Sequence, residues 1–233
     1  MRKLILFLLF IAATAAHGQQ INDPNAVIRE AKNYHGINVS HSFDVYLSQG
    51  SEEAVAVSAA NSKDRDQITV EVRDGILYIG LDKGWKWSGG NKKLKAYISV
   101  KQLDKLMVSG ACDVFITGIL KADELLINQS GASDIRGRLE VNKLKVDLSG
   151  ASDMTISGTA TQLSVEASGA SDFKGFDLSA EICDVRASGA SDIKITVNKE
   201  LSARASGASD VRYKGNGVIT DINSSGSSSV KKG

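Results

Sequence analysis

The pentapeptide Ser-Gly-Ala-Ser-Asp occurs five times in this chain, starting at residues 130, 149, 168, 188 and 206. A related copy, Ser-Gly-Ala-Cys-Asp, starts at Ser109, and a degenerate copy, Ser-Gly-Ser-Ser-Ser, starts at Ser225. The intervals between successive glycines are 21, 19, 19, 20, 18 and 19 residues. A period near 20 with so little drift is typical of a solenoid, because loops absorb an extra residue whereas corners do not.

Apolar residues alternate with polar ones on both sides of each pentapeptide. Before Ser149 the apolar positions are Leu144, Val146 and Leu148, with Lys145 and Asp147 between them. After the Asp of successive copies the chain continues with an apolar residue, namely Ile135, Met154, Phe173, Ile193 and Val211. A period of two predicts strands with one buried face, so each repeat is strand, corner, strand and loop.

One such coil buries too few apolar side chains to offset the backbone entropy lost on folding, so coils must stack and pair their strand edges. The sequence therefore predicts an all-β fold, a parallel β-helix whose regular repeats span 109–233. In the corner, we expect Gly to supply a backbone angle that a side chain forbids, Ala to fit a crowded inner bend, and Ser and Asp to bond local amide groups.

The stacked corners would also align their Asp residues in a column, namely Asp113, Asp134, Asp153, Asp172, Asp192 and Asp210. Such a column could collect metal cations. However, a cation follows two residues after four of these Asp residues, at Arg136, Lys174, Lys194 and Arg212. The repeat also lacks the Gly-rich nonapeptide of calcium-binding solenoids. We therefore expect a structural corner without a metal site or cofactor.

The two cysteines lie at different places in the repeat. Cys112 takes the fourth pentapeptide position of the first copy, whereas Cys183 stands at a buried strand position. At about 4.8 Å per coil they would lie roughly 19 Å apart, beyond the ~7 Å Cα separation that a disulfide permits. No intramolecular disulfide is expected.

The N-terminus resembles a secretory leader. Arg2 and Lys3 precede an apolar run from Leu4 to about Ala16, which is shorter than a membrane-spanning helix, and cleavage after Gly18 would remove residues 1–18. The 28 basic residues would then fall to 26 against 27 acidic ones, giving a net charge of −1. This balance argues against nucleic acid as a partner. The prediction is an exported chain without a transmembrane segment.

Residues 19–108 show strands without the regular period, and we expect them to form an N-terminal cap and the first coils. The stretch from Ile68 to Leu81 predicts a hairpin with Asp74 and Gly75 at its turn. Trp85 and Trp87 follow in a segment rich in Gly and Lys. Exposed aromatic rings bind sugars, so the pair is a candidate ligand site, although the rings could equally cover the cap and a strand edge.

Five segments together resemble a known family: YHGINVSHSFDVYLSQG, ITVEVRDGILYI, YISVKQLDKLMVSGACDV, the repeated SGASD, and YKGNGVITDINSSGSSSV. The family is that of auto-transporter adhesin head GIN domains, and the likeness covers nearly the whole chain after the leader. It implies an exported protein of the Gram-negative envelope, periplasmic or at the cell surface, with a single-stranded right-handed β-helix. The family supplies no catalytic or ligand residues to carry over.

Two functions remain open on the residues. The first is a non-enzymatic module for adhesion or envelope scaffolding, with carbohydrate or an envelope or surface protein as partner. The second is a polysaccharide lyase or hydrolase, since β-helices host enzymes that use Asp with Arg or Lys. Catalysis requires a unique cluster, whereas here the Asp and basic residues recur almost identically in every coil, so we expect no enzyme and no catalytic residues. His35 and His41 lie in no metal or nucleophile motif.

Overall fold

The computed structural model describes residues 22–84 and 93–233 and is nearly all-β, with 67% of these described residues in strands. About seven turns stack into a β-solenoid, which confirms the predicted fold class. The elements are β1 (Val27–Arg29), β2 (Gly36–Val39), β3 (Asp44–Gln49), β4 (Ala54–Ser58), α1 (Ser62–Arg65), β5 (Ile68–Arg73), β6 (Ile76–Leu81), β7 (Lys95–Val100), β8 (Lys105–Val108), β9 (Asp113–Gln129), β10 (Asp134–Leu148), β11 (Asp153–Ala167), β12 (Asp172–Ala187), β13 (Asp192–Gly207), β14 (Asp210–Lys214), β15 (Val218–Gly226) and β16 (Ser229–Lys232).

Each of β9 to β13 runs nearly a whole coil, from the Asp of one pentapeptide to the next corner. Neighbouring coils pair in parallel and in register, so that Asp134 lies beside Asp153 and Leu148 beside Ala167. The corners add their own bonds between coils: the Ala151 amide donates to the Gly131 carbonyl oxygen at 2.8 Å. The pentapeptide therefore forms a continuous column of corners along the solenoid axis.

The corner glycines hold the left-handed backbone that the repeat predicts. Their φ angles lie between +76° and +87° at Gly110, Gly131, Gly150, Gly169, Gly189, Gly207 and Gly226. A Cβ atom on Gly150 would also approach the Gly131 carbonyl oxygen to 2.5 Å. Conformation and space both require Gly here.

The core lies inside the coils. All the apolar residues predicted to point inward are buried, including Leu144, Val146, Leu148 and Ile135. Cys183 occupies one of these positions and is also buried. The period-two pattern thus identified the buried face correctly.

The roles within the corner differ from the prediction. The Ala is exposed and does not fill an inner bend, whereas the fourth residue, Ser152 in one copy, is fully buried. Alternation continues through the corner: because the Asp side chain points outward, the residues on both sides of it point inward. The Ser152 hydroxyl donates to the Ser149 carbonyl oxygen at 2.9 Å. The Asp carboxylates bond cations, not the local amides that we expected.

Cys112 stands in the buried Ser column and follows the same pattern. Its Sγ atom lies 3.4 Å from the Ser109 carbonyl oxygen, the partner that a Ser hydroxyl has in later coils. Burial raises the pKa of its thiol to about 11, and burial raises that of Cys183 to about 12. Both cysteines are free.

An eighth corner lies before the visible repeats. The segment Ser40-His41-Ser42-Phe43-Asp44 joins β2 to β3, and these strands pair in parallel with β8 and β9. His41 has a φ of 82° and takes the place of the corner Gly, and its carbonyl oxygen accepts from the Ala111 amide at 2.6 Å. Residues 36–49 thus stack directly on the first pentapeptide coil, although some 60 residues separate them in sequence.

Antiparallel strands lie on the far side of this coil. On that side β2 pairs in parallel with β6, and β3 pairs in parallel with β7. The antiparallel pairs follow: β5 pairs with β6, β4 pairs with β7, and β1 pairs with β4. The hairpin between β5 and β6 turns at Asp74 and Gly75, as predicted, and both have positive φ angles. The short helix α1 follows β4 and begins at an Asn61 cap.

Candidate binding surfaces

Seven Asp side chains form a ladder along the outside of the corner column, which we call the Asp ladder. Its members are Asp44, Asp113, Asp134, Asp153, Asp172, Asp192 and Asp210, and the strand register joins each to the next. Sequence reasoning identified six of these residues and missed Asp44, because the corner before it contains no pentapeptide. In the last coil Ser229 takes the place of Asp.

Cations lie beside four of the seven members of the Asp ladder, namely Asp134, Asp153, Asp172 and Asp210. Lys174 reaches two of its members, with Nζ at 2.6 Å from Asp153 Oδ2 and 3.4 Å from Asp172 Oδ2. Arg136 lies 2.6 Å from Asp134, and Arg212 lies 3.9 Å from Asp210. The hydrogen bond to Asp153 raises the pKa of Lys174 despite partial burial. Among residues 22–84 and 93–233, no group of three or more His, Cys, Asp or Glu side chains is placed to hold a metal ion.

The column beside the Asp ladder changes character along the axis. At the N-terminal end, Tyr46 stacks between Tyr97 and Phe115, with ring centroids 5.2 Å and 5.5 Å apart. The register then continues through Arg136, Thr155, Lys174, Lys194, Arg212 and Lys231. The three aromatic rings cover each other's faces, so this stack stabilises neighbouring strands more than it offers a platform for a ligand.

A groove of about 1010 Å³ runs along the solenoid, and we call it the axial groove. It begins beside the segment from Lys101 to Asp104 and follows successive coils as far as Asn198. The residues that line it are His35, Gln49, Lys101, Gln102, Leu103, Asp104, Lys121, Ala122, Asp123, Glu124, Glu140, Val141, Asn142, Thr159, Ala160, Thr161, Ser179, Glu181 and Asn198. Most of them come from the bend in each coil, where two consecutive side chains are exposed, as at Asn142 and Lys143.

Polar side chains in the axial groove bond from one coil to the next. Lys121 Nζ lies 2.8 Å from Glu140 Oε2, and Asn198 donates to Ser179 at 2.8 Å. Lys143 pairs with Glu124, and Lys199 lies 2.8 Å from Glu181. These bonds hold the polar groups in fixed positions along the axis.

The carboxylates whose pKa values shift remain acidic. The hydrogen bond from Lys121 lowers the pKa of Glu140 in the axial groove. A glycosidase needs a carboxyl group whose pKa is raised, so that it can donate a proton to the leaving sugar. Glu140 is therefore suited to accepting hydrogen bonds and not to acid catalysis.

The residues that the sequence singled out lie in different places. Trp85 and Trp87 fall outside the described residues, in the connection between β6 and β7. His35 lies at one end of the axial groove, where its Nδ1 atom is 2.8 Å from Asp104 Oδ2, and His41 forms a corner. Sequence reasoning missed the axial groove, because its residue types differ from coil to coil. The available signal was the pair of consecutive polar residues that interrupts the alternation in most coils, as at Asn142 and Lys143.

The described parts of the chain include no helix with the length and apolar character needed to cross a membrane. The predicted leader, residues 1–18, lies outside these parts.

Solved structures share this fold. The chain is 23% identical to a putative adhesin from Bacteroides fragilis, with a TM-score of 0.83 and coverage of 90% of this chain and 98% of that one. A putative adhesin from Parabacteroides merdae is 18% identical, with a TM-score of 0.70 and coverage of 89% and 95%. A putative lipid binding protein from Parabacteroides distasonis is 22% identical, with a TM-score of 0.66 and coverage of 91% and 98%.

No curated protein matches the chain. A family model does match, over residues 33–217, and its description is "Putative auto-transporter adhesin, head GIN domain". This range includes the eighth corner at His41, six pentapeptide corners and the whole axial groove. The chain therefore belongs to the auto-transporter adhesin, head GIN domain family, as its sequence motifs predicted.

Proposed function

We propose that this protein is an exported, non-enzymatic β-solenoid of the Gram-negative envelope, at the cell surface or in the periplasm, that acts in adhesion or scaffolding and binds carbohydrate. Membership of an adhesin-like family supports the adhesion role. The charged leader with its short apolar run supports export. The observation that carries the proposal is the repeated outer wall: the same type of corner stacks along the axis, and an Asp side chain returns beside it in seven successive coils.

The alternative function, a polysaccharide lyase or hydrolase, has less support. The described carboxyl groups with shifted pKa values are Asp23 and Glu140, and both pKa values are lowered. The Asp ladder repeats with similar cation partners and provides no unique acid and base pair. Uniform groups of this kind are expected of a structural ladder.

One assay compares the two functions. Purified protein is incubated with a panel of polysaccharides, and both retention of the protein and new reducing or unsaturated ends are measured. Retention without new ends supports the binding module, whereas new ends that depend on the protein would establish the enzyme.

Trp85 and Trp87 are proposed as one sugar-binding site of this module. We expect Trp85→Ala and Trp87→Ala to weaken retention while the circular dichroism spectrum stays unchanged. Normal retention by both variants would remove these residues from the proposed site.

Export and location are tested in the source bacterium. We expect a mature chain that begins at Gln19, found in the envelope fraction and not in the cytoplasm. Loss of cell adherence on deletion of the gene supports the adhesion role. Recovery of the uncut chain from the cytoplasm would contradict the proposal.

A further inference from the structure

The axial groove repeats with the coils. Along one rim the register joins Lys121, Glu140, Thr159 and Ser179, so each coil contributes one polar side chain. The opposite rim carries Asp123, Asn142, Thr161 and Glu181 in the same coils. Coils repeat about every 4.8 Å, so the five steps from Asp104 to Asn198 extend the groove to about 24 Å. A site of this length and period fits an extended polymer better than a compact ligand.

Short apolar residues lie beneath the axial groove, between its two polar rims. Ala122, Val141 and Ala160 follow one another in register, and Val141 and Ala160 are almost completely buried. Their side chains therefore belong to the core, and the groove presents mainly the polar side chains of its rims. The hydroxyl groups along the edges of a pyranose ring match polar groups on both sides of such a groove.

The rim groups are held in place and still have bonding capacity. Glu140 pairs with Lys121 through Oε2, and Glu181 pairs with Lys199 through Oε2. Each carboxylate has a second oxygen that can accept from a sugar hydroxyl. Between them, Thr159 and Thr161 are exposed hydroxyl groups of the central coil. The two carboxylates therefore keep acceptor capacity after pairing with lysines of neighbouring coils.

The charge of the lining selects against anionic polymers. Five carboxylates and two lysines line the axial groove, and Lys143 and Lys199 reach Glu124 and Glu181 from its edge. The site is therefore close to neutral with an acidic excess. A polyuronate or a phosphorylated glycan would meet unfavourable carboxylates at both ends of the groove, whereas a neutral glycan would not.

A peptide has less to gain from this groove. An extended peptide binds most strongly by adding a strand to a free sheet edge. The strands β10, β11 and β12 each pair with a neighbour on both sides, so the backbone beneath the groove is already bonded. Only side chains can therefore bond a ligand in the groove, and a ligand rich in hydroxyl groups can form its hydrogen bonds with side chains.

We propose that the axial groove binds a neutral, linear polysaccharide whose sugar residues lie along the solenoid axis, one for each coil. The inference rests on the proposed carbohydrate-binding function and gives it a site and a ligand class. It is independent of Trp85 and Trp87.

A matched pair of variants tests the groove. Thr159 and Thr155 are both exposed side chains of β11, but only Thr159 lines the axial groove. Thr159→Leu replaces the hydroxyl group with a larger side chain that forms no hydrogen bonds, and Thr155→Leu makes the same change outside the groove. Circular dichroism and urea unfolding check that the two variants fold alike.

The probes are hexasaccharides of β-1,4-glucose, β-1,4-mannose and β-1,4-xylose, with hexagalacturonate and hexalysine for comparison. Binding to the full mature chain is measured by isothermal titration calorimetry. We expect saturable binding of at least one neutral hexasaccharide, weakened about tenfold or more by Thr159→Leu and unchanged by Thr155→Leu.

Three results would overturn the inference: no saturable binding of any neutral hexasaccharide, equal binding by both Leu variants, or tighter binding of hexagalacturonate or hexalysine. The proposed function is assayed separately, through export and cell adherence. If deletion of the gene abolishes adherence but Thr159→Leu does not affect it, the groove assignment fails while the adhesion role stands.

Discussion

A Cβ atom on Gly150 would lie 2.5 Å from the carbonyl oxygen of Gly131, which belongs to the preceding coil. The same approach recurs from Gly110 to Gly226, at distances of 2.2 to 2.9 Å, and each of these residues has a positive φ angle. The corner is therefore fixed twice, by the backbone conformation and by the contact between coils. A substitution there should disturb both.

The first prediction compares two glycines with almost the same φ. Gly150→Ala should lower the free energy of unfolding by about 3 kcal/mol or more, because the left-handed backbone is strained and the methyl group meets the Gly131 carbonyl. Gly118 has a φ of 77° but open space around its Cβ position, so Gly118→Ala should lower it by only about 1 kcal/mol. Urea unfolding followed by circular dichroism measures both. Equal losses would show that the contact between coils does not matter.

The second prediction concerns the corner residue that faces the core. Ser152→Ala removes the hydroxyl that donates to the Ser149 carbonyl oxygen at 2.9 Å in a fully buried position. We expect the free energy of unfolding to fall by about 1 to 2 kcal/mol. The reverse change at the neighbouring exposed residue, Ala151→Ser, should alter it by less than about 0.5 kcal/mol. A larger loss in Ala151→Ser would contradict the assignment of the buried side.

These corners show how far the sequence could predict the fold. Exact repetition of five letters predicted the coil period, the glycine column and the strands, because each copy meets the same steric demand. The inner position of the corner was wrongly assigned to Ala, although alternation through Asp153 and Met154 points to the Ser. The corner at His41 could not be recognised, since its conformation is imposed by neighbours such as Ala111 and not by a Gly residue.

The axial groove could not be predicted for a related reason. It depends on how far each coil bends near Asn142 and on which small side chains, such as Ala160, lie beneath the polar rims. These positions tolerate many residue types, so no repeated letters mark them. The regular spacing of the groove residues can be recognised only after the register of the coils is known.

The third prediction is that the free energy of unfolding depends on pH through Asp23, which precedes β1. Burial alone would raise the pKa of Asp23, but hydrogen bonds from the Asn25 amide and from the Tyr97 and Ser58 side chains, together with Lys95, lower it below its ordinary value of 3.8. The folded state thus favours the carboxylate, so its contribution to stability is present above about pH 4 and is lost as the pH falls through the lowered pKa.

The change Asp23→Asn should therefore reduce the free energy of unfolding at neutral pH, and the difference from the parent chain should shrink under acid. Unfolding in urea at pH 7 and at pH 3 measures this difference. Asp177→Asn, which alters an exposed carboxylate, is the charge-matched control. A difference that grows as the pH falls would contradict the sign of the pKa shift.

The fourth prediction concerns the Asp ladder and cations. Lys174 lies within 3.4 Å of both Asp153 and Asp172, and its charge stands where a metal ion would otherwise compensate them. We expect calcium to leave the melting temperature of the parent chain unchanged. In Lys174→Ala the two carboxylates face each other without that cation, so calcium should raise the melting temperature of this variant. Lys145→Ala, which removes the partner of Asp147 outside the ladder, should show no such response. A clear rise in the melting temperature of the parent chain with calcium would instead show that the ladder binds metal with Lys174 in place.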